Sequence, residues 1–224
     1  MLRTILFGAA LLIAAPAAAQ TAQPIIDGAA LVGPPPANGT PRAAADRLSM
    51  RPQVASERLA QAVTDLEFQP FRIFQPVLGE TFTAERFPRT AALLTSTVSG
   101  VSPAVNAAKQ AYDRQRPYVE DRSVLRCDNP ENPGPGGSYP TGHGAGSWAL
   151  ALVLAELIPS RADAILQRGR DFGDSRVICG YHFPSDIESS RMIAAGGVAR
   201  LHADASFRRQ IEAARRELAS AYRN

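Results

Sequence analysis

The sequence predicts an all-α fold, built as a single compact helical domain. Apolar residues recur at helical spacing from about Pro52 to the C-terminal region, and no run alternates with the period of a strand. No internal repeat or linker divides the chain, and 45% hydrophobic residues in 224 are enough for one proper core. These observations favour one helical domain over residues 47–224.

The first residues do not belong to that domain. Residues 1–19 contain a basic start at Arg3, a short apolar run from Ile5 to Ala15, and small residues at Ala17 and Ala19. This is the pattern of a secretory signal peptide, and its apolar run is too short to span a bilayer. We expect cleavage after Ala19 and export to a bacterial periplasm, with no membrane anchor.

Residues 20–46 are rich in proline, glycine and alanine, with "GPPPANGTPR" at their centre. This composition predicts an extended N-terminal arm rather than a packed element.

Spacing and capping residues predict the helices that follow. Gly100 ends one helix, and Ser102 with Pro103 begins the next as N-cap and first residue. That helix must end by Arg116, since Pro117 disfavours helical backbone before it. Residues 118–142 carry many turn formers and are predicted as loop. The predicted helices are 52–67, 87–100, 102–116, 146–159, 160–176, 184–204 and 205–222.

The run "SWALALVLAELI" is apolar nearly all round, which predicts a central buried helix. Directly ahead of it, "GSYPTGHGAG" places His143 among glycines. A helix start offers free N–H groups and a partial positive charge, which together suit an anion. The alternative is a turn with an incidental histidine.

The charged residues point to a small anion rather than to a polymer. The net charge is only +3, and the basic residues are scattered, which gives little support for nucleic-acid binding. The only lysine, Lys109, lies seven residues before Arg116, on nearly the same helix face. Together with Arg176 they would bind a multivalent anion such as phosphate, which the guanidinium fork fits well.

Two histidines could carry chemistry at such a site. Asp186 follows His182 at i+4, which forms a pair of base and orienting carboxylate and makes His182 a candidate nucleophile. His143 would then be the general acid for the leaving oxygen. Each residue alone has an ordinary structural explanation: a solvated helix face, a loop histidine or a hydrogen bond at a helix start. The third histidine, His202, is expected to interact with a helix C-terminus.

These residues together carry a family resemblance. The chain reads Lys109, six residues, Arg116–Pro117; then Pro140–Thr141–Gly142–His143; then Ser175–Arg176, five residues, His182, three residues, Asp186. This pattern resembles the signature of the PAP2-type acid phosphatase and vanadium haloperoxidase superfamily. "GSYPTGH" is similar to the G-S-Y-P-S-G-H form of the class A bacterial non-specific acid phosphatases.

The resemblance implies an α-helical phosphatase that needs no metal and no cofactor. It implies a phosphohistidine at His182, oriented by Asp186, and an acid optimum if His143 titrates near the ordinary pH 6.5. Vanadate or phosphate is expected to occupy the site as an inhibitor, the substrates are small phosphomonoesters, and a homodimer is expected. The residues implied to hold the phosphate are Lys109, Arg116, Arg176, Ser175, Thr141 and Gly142.

Two positions depart from the family pattern. Thr141 replaces the usual serine, so its added methyl is expected to crowd the pocket. Gly144 stands where class A members usually have threonine, and it is expected to loosen the helix start. Neither departure removes a catalytic group.

Export also affects the two cysteines. An oxidising compartment favours a Cys127–Cys179 disulfide, and two buried free thiols are the alternative.

Three other functions compete with a secreted phosphatase. A vanadium haloperoxidase would use the same pocket, but the chain is short for that branch. A lipid-phosphate phosphatase usually has several membrane spans. A simple phosphate-binding protein would need neither histidine nor Asp186. Two histidines with scattered acids give no compact metal-ligand spacing, so no metal site is predicted.

Overall fold

A computed structural model of the protein describes residues 24–50, 53–124, 126–127 and 136–222. Within these ranges the chain forms helices and no strands, so the predicted all-α class is confirmed. A 3₁₀ turn at Pro159–Arg161 precedes the eighth helix. The helices are α1 (Gly28–Val32), α2 (Pro41–Leu48), α3 (Ser56–Thr64), α4 (Pro70–Leu78), α5 (Pro88–Tyr112), α6 (Pro117–Glu120), α7 (Gly142–Leu157), α8 (Ala162–Ile178), α9 (Pro184–Leu201) and α10 (Ala205–Leu218).

The centre of the domain is α7, as its sequence predicts. It packs against α5, α8 and α9, and Ala149, Leu150 and Leu154 on it are completely buried. A helix that is apolar on every face can only be stable when other elements surround it. Its N-terminus, which carries His143, is thereby held at a fixed place among the surrounding helices.

The predicted break between residues 100 and 102 is wrong, because α5 runs unbroken through it. Ser102 is not an N-cap: its hydroxyl donates to the Val98 carbonyl, one turn back in the same helix. Gly100 allows a close approach instead, since a Cβ there would lie 2.7 Å from Leu201. Pro103 lies inside the helix, where it removes one N–H donor but does not end the helix. The helix ends at Tyr112, within the predicted limit.

The short helix α4 was not predicted. Pro70 begins it and Pro76 lies inside it, and two prolines in nine residues favour a loop in a sequence reading. Its apolar side chains Ile73, Phe74 and Leu78 are nevertheless buried in the main core. Burial of these three side chains outweighs the weak local preference for helix.

The extended arm predicted for residues 20–46 is wrong for two stretches, α1 and α2. Gly28 lies so close to α5 that a Cβ there would be 2.3 Å from the Ala104 carbonyl oxygen. Tyr112 also donates to the Ala29 carbonyl at 2.9 Å. The predicted boundary at residue 47 falls inside α2. The predicted signal peptide, residues 1–19, lies outside the described residues.

The structure contains the predicted Cys127–Cys179 disulfide. Cys179 follows α8 directly, and Tyr181 donates to the Cys127 carbonyl, so the bond joins the loop after α6 to the segment that leads to His182. The prediction of a loop over residues 118–142 is wrong at its start, because the short helix α6 runs from Pro117 to Glu120. None of the described helices has the length and hydropathy that a bilayer crossing requires.

Candidate active site

The three predicted cations, Lys109, Arg116 and Arg176, come from three elements. The charges of both arginines act on Lys109. Lys109 lies in the last turn of α5, Arg116 is the N-cap of α6, and Arg176 lies in the last turn of α8. Burial, together with the charges of Arg116 and Arg176, lowers the pKa of Lys109 to about 8, and Asp186 opposes this effect. Such mutual repulsion is expected of a site built for an anion, whose charge would relieve it.

Lys109 also holds the loop before α7. Its ammonium donates to the carbonyls of Gly137 at 2.5 Å and Pro140 at 2.7 Å. Gly137 has φ of 67°, a left-handed conformation that favours glycine. The single lysine of the chain therefore fixes the "GSYPTGH" segment as well as contributing charge.

Two hydrogen bonds define which ring nitrogen of His182 carries the hydrogen. Its Nδ1 lies 2.7 Å from the Ser138 carbonyl oxygen, and its Nε2 lies 3.0 Å from Nη1 of Arg116. A carbonyl oxygen only accepts, so Nδ1 carries the hydrogen, and Nε2 presents its lone pair to the arginine. Burial, followed by the charges of Arg116, Lys109 and Arg176, holds the pKa of His182 well below its ordinary value.

Asp186 lies beside His182 without a direct hydrogen bond between the two side chains, and its orienting role stays a prediction. His182 precedes α9, which begins at Pro184, so the i+4 spacing of a helix does not apply to this pair. Oδ2 of Asp186 lies 3.7 Å from Nδ1 and accepts from the Ser138 hydroxyl at 2.6 Å. Asp186 therefore reaches His182 through Ser138. Burial raises the pKa of Asp186, while Arg114 opposes that effect.

His143 is the second residue of α7 and packs against two aromatic rings, which also contact each other. Phe68 meets it edge-on at 5.6 Å, and Phe172 lies nearly parallel at 6.3 Å between ring centroids. The backbone of Leu66, in the α3–α4 loop, favours the protonated form of this imidazole. Burial lowers the pKa of His143 to about 3, with smaller contributions from Arg176 and the other two cations. Burial therefore moves the pKa of His143 well below the value of 6.5 that is expected for an ordinary histidine.

The two departures from the family pattern compensate for each other. Thr141 is the N-cap of α7, and its hydroxyl accepts from the Gly144 N–H at 3.4 Å. A Cβ on residue 144 would lie only 2.5 Å from the Thr141 methyl. The extra methyl thus fills the space that a side chain at 144 would need, and the helix keeps its cap. Gly142 is exposed, with open space where a side chain would lie.

Ser175 is placed differently from the other predicted phosphate ligands. Its hydroxyl lies 2.6 Å from Oδ2 of Asp65 and accepts from Arg58 at 2.9 Å. A phosphate oxygen would have to compete with this buried carboxylate for the hydroxyl hydrogen. Phosphate binding by Ser175 and by Thr141 stays a prediction.

The site residues from Lys109 to Asp186 all lie within the stretch that matches a known family. The family model of the PAP2 superfamily matches residues 89–209, more than half of the chain. The chain belongs to the PAP2 superfamily. The resemblance that its motifs carry is thereby confirmed.

Curated relatives of this PAP2 protein are bacterial acid phosphatases. It is similar to an acid phosphatase of Zymomonas mobilis, at 37% identity, with 85% of this chain and 75% of the relative covered. A non-specific acid phosphatase of Providencia stuartii is 36% identical, with 87% and 82% covered. One of Salmonella typhi is 34% identical, with 96% and 92% covered.

Several residues around the PAP2 site were missed in the sequence. Ser138 stands in the quoted "GSYPTGH" run and Arg114 in "KQAYDRQRP", so both were within reach of the motif reading. Asp46 and Asp65 precede residue 89 and have no motif around them. In the part of the chain that the structure describes, no three His, Cys, Asp or Glu side chains form a group that could hold a metal ion.

Proposed function

We propose that this PAP2 phosphatase hydrolyses small phosphomonoesters through a phosphohistidine at His182, without a metal. The observation that carries the proposal is the state of His182, whose Nε2 lone pair faces Arg116 while Ser138 holds Nδ1–H. The charges of Lys109 and Arg176 also act on this ring. Lys109, Arg116 and Arg176 bind the phosphoryl oxygens and spread their charge. Family membership and the acid phosphatase relatives support the reaction class.

The reaction has two steps. Nε2 of His182 attacks phosphorus, the bond from phosphorus to the ester oxygen breaks, and His143 gives a proton to the departing alcohol. Water then attacks the phosphohistidine, His143 takes a proton from that water, and inorganic phosphate leaves with the nitrogen–phosphorus bond broken. Ser138 keeps Nδ1–H directed away from the phosphorus in both steps.

The proton on His143 has to arrive with the substrate or after it. Burial and the three cations hold the pKa of His143 at about 3, so the imidazole is neutral at pH 5–6. A bound phosphate group offsets the three cations and raises that pKa. A phosphomonoester has its second pKa near 6, so the monoanion that prevails at lower pH carries a proton into the site. The proposed acid optimum follows from this ionisation of the substrate.

The remaining proposals concern the localisation, the inhibitors and the oligomeric state of the enzyme. Export to the periplasm is supported by the N-terminal pattern and by the disulfide, which suits an oxidising compartment. Vanadate is proposed as an inhibitor that bonds to Nε2 of His182, and inorganic phosphate as one held by the cations. The homodimer remains a proposal that rests on the family alone.

The test is hydrolysis of p-nitrophenyl phosphate at pH 5–6 in EDTA, with and without orthovanadate. Activity that survives EDTA and falls with vanadate supports the proposal. Labelled phosphate trapped on the protein by an alkaline quench tests the intermediate, which should vanish in His182→Ala. His202→Ala is the matched control, because His202 binds Glu156 and the Val198 carbonyl at the end of α9. Unchanged trapping in His182→Ala excludes this nucleophile, and activity that EDTA abolishes excludes the metal-free reaction.

A further inference from the structure

We propose that Asp46 and Arg114 are positioning residues, which fix Asp186 and, through Ser138, hold the nucleophile His182 in its reactive orientation. The inference rests on the proposed function of His182. Asp46 lies on α2, outside the stretch of the PAP2 match, and Arg114 is one of the six unspecified residues between Lys109 and Arg116.

Arg114 lies between two carboxylates. Its Nη2 is 2.9 Å from Oδ2 of Asp46, and its Nη1 is 2.8 Å from Oδ1 of Asp186. The guanidinium also lies over the ring of Phe183, 4.0 Å from its centroid. With the arginine side chain only 10% exposed, these contacts are shielded from water and hold the fork in one orientation.

Asp46 binds the start of α9 as well as the arginine. Its Oδ1 accepts from the Ser185 backbone N–H at 3.0 Å, and its Oδ2 lies 2.5 Å from the Ser185 hydroxyl. Ser185 is the second residue of α9, and His182 precedes that helix by two residues. A side chain of the N-terminal segment therefore holds the backbone from which His182 extends.

The chain of contacts continues from Asp186 to the imidazole. Oδ2 of Asp186 accepts from the Ser138 hydroxyl at 2.6 Å, and the Ser138 carbonyl accepts from Nδ1 of His182 at 2.7 Å. Arg114 favours the ionised form of Asp186 against the effect of burial, and only a carboxylate accepts at both oxygens. Loss of Arg114 would remove the contact that holds Oδ1 of Asp186 and would raise the pKa of Asp186 further, and both changes weaken the hold of Asp186 on Ser138.

Neither Asp46 nor Arg114 carries the reacting atoms, so the effect to expect is on the orientation of Nε2. A misplaced nucleophile loses rate steeply, about 100-fold for a displacement near 1 Å. Anion binding depends instead on Lys109, Arg116 and Arg176. The two inhibitors proposed above separate these effects, because vanadate needs a bond to Nε2 and inorganic phosphate needs only the cations.

The experiment compares the variants Asp46→Asn and Arg114→Gln with the wild-type enzyme. We expect kcat for p-nitrophenyl phosphate to fall about 100-fold. The inhibition constant of vanadate should rise about tenfold or more, and that of inorganic phosphate should change by less than about threefold. The control is Arg42→Gln, which breaks an exposed pair with Glu188 that also joins α2 to α9. It should leave all three quantities unchanged.

Two results would overturn the inference. One is an unchanged kcat in both variants; the other is an equal rise of the vanadate and phosphate constants, which indicates general disruption of the site. If the charge variants do not fold, Ser185→Ala decides, since it removes the hydroxyl contacts to Asp46 and to Arg114 and keeps every charge. Wild-type kcat and vanadate inhibition in that variant would also overturn the inference. Absence of phosphohistidine in the wild-type enzyme would instead contradict the proposed function.

Discussion

Arg114, on the His182 side of the site, lies between two carboxylates, whereas Arg168, on the His143 side, binds the single carboxylate of Asp65. Both arginines are nearly buried, and both tie distant helices together. From Arg114 the contacts continue through Asp186 and Ser138 to a ring nitrogen of His182. The pair of Arg168 and Asp65 continues to the Ser175 hydroxyl and the Ile73 carbonyl.

The difference lies in how each histidine is held. His182 depends on charged side chains that reach it through Ser138, while His143 packs against two aromatic rings and the Leu66 backbone acts on it. A nucleophile gains from a charged partner that stabilises the form in which it reacts. A proton donor gains from a buried position in which the charge of the substrate raises its pKa. We infer that the Asp65 pair mainly stabilises the fold, and the Asp46 pair mainly serves the chemistry.

The largest effect should come from His143→Ala. With a poor leaving group such as an alkyl phosphate, kcat should fall by about 10²–10⁴-fold, the range of general acid catalysis. With p-nitrophenyl phosphate the loss should be much smaller, because p-nitrophenolate leaves without a proton. Rate measurements on both substrates check this, and His182→Ala should lose both alike. Equal losses in His143→Ala would contradict the assignment.

The second effect compares how much stability is lost when the carboxylate partner of each arginine is replaced. Asp65→Asn leaves the Arg168 charge buried without its carboxylate and should lower the free energy of unfolding by about 3–5 kcal/mol. Asp46→Asn should cost less, since Arg114 keeps Asp186. Urea unfolding of the two variants gives the comparison. If both variants lose the same free energy of unfolding, Asp186 does not compensate the charge of Arg114 when Asp46 is replaced.

The third effect is on pH dependence. His143 titrates near 6.5 when unfolded and at about 3 when folded, so the unfolded chain binds more protons between these values. Stability is therefore full above pH 6.5 and is lost as pH falls, by about 2 kcal/mol at pH 5 for one such histidine. Inorganic phosphate should restore it by raising the pKa of His143. Melting temperatures between pH 7 and 5, with and without phosphate, check this; a flat profile would contradict it.

The smallest effect should come from Phe68→Leu. Loss of the edge-on contact with His143 should cost about 0.5–1.5 kcal/mol of transition-state stabilisation, seen as a drop in kcat. Phe71→Leu is the control, because that ring packs on Phe82, away from His143. An equal loss of kcat in the control would attribute the effect to general loosening.

The sequence predicts the cations and histidines of the site because their spacing in the chain is fixed within three short runs. It does not predict the Asp46–Ser185 contact, which joins residues 139 positions apart. Local patterns also mislead where packing decides: Gly100 resembles a helix end, yet it makes room for Leu201. Likewise, Thr141 and Gly144 look like two defects until the structure shows that they share one space.

The Cys127–Cys179 bond closes a covalent ring of the chain that includes His143 and Arg176. A single proteolytic cut anywhere between the two cysteines would therefore leave both pieces of the enzyme joined. The nicked protein should migrate as one band on a denaturing gel without reductant and as two bands with it. Limited digestion in the two conditions thus maps any cut inside the ring.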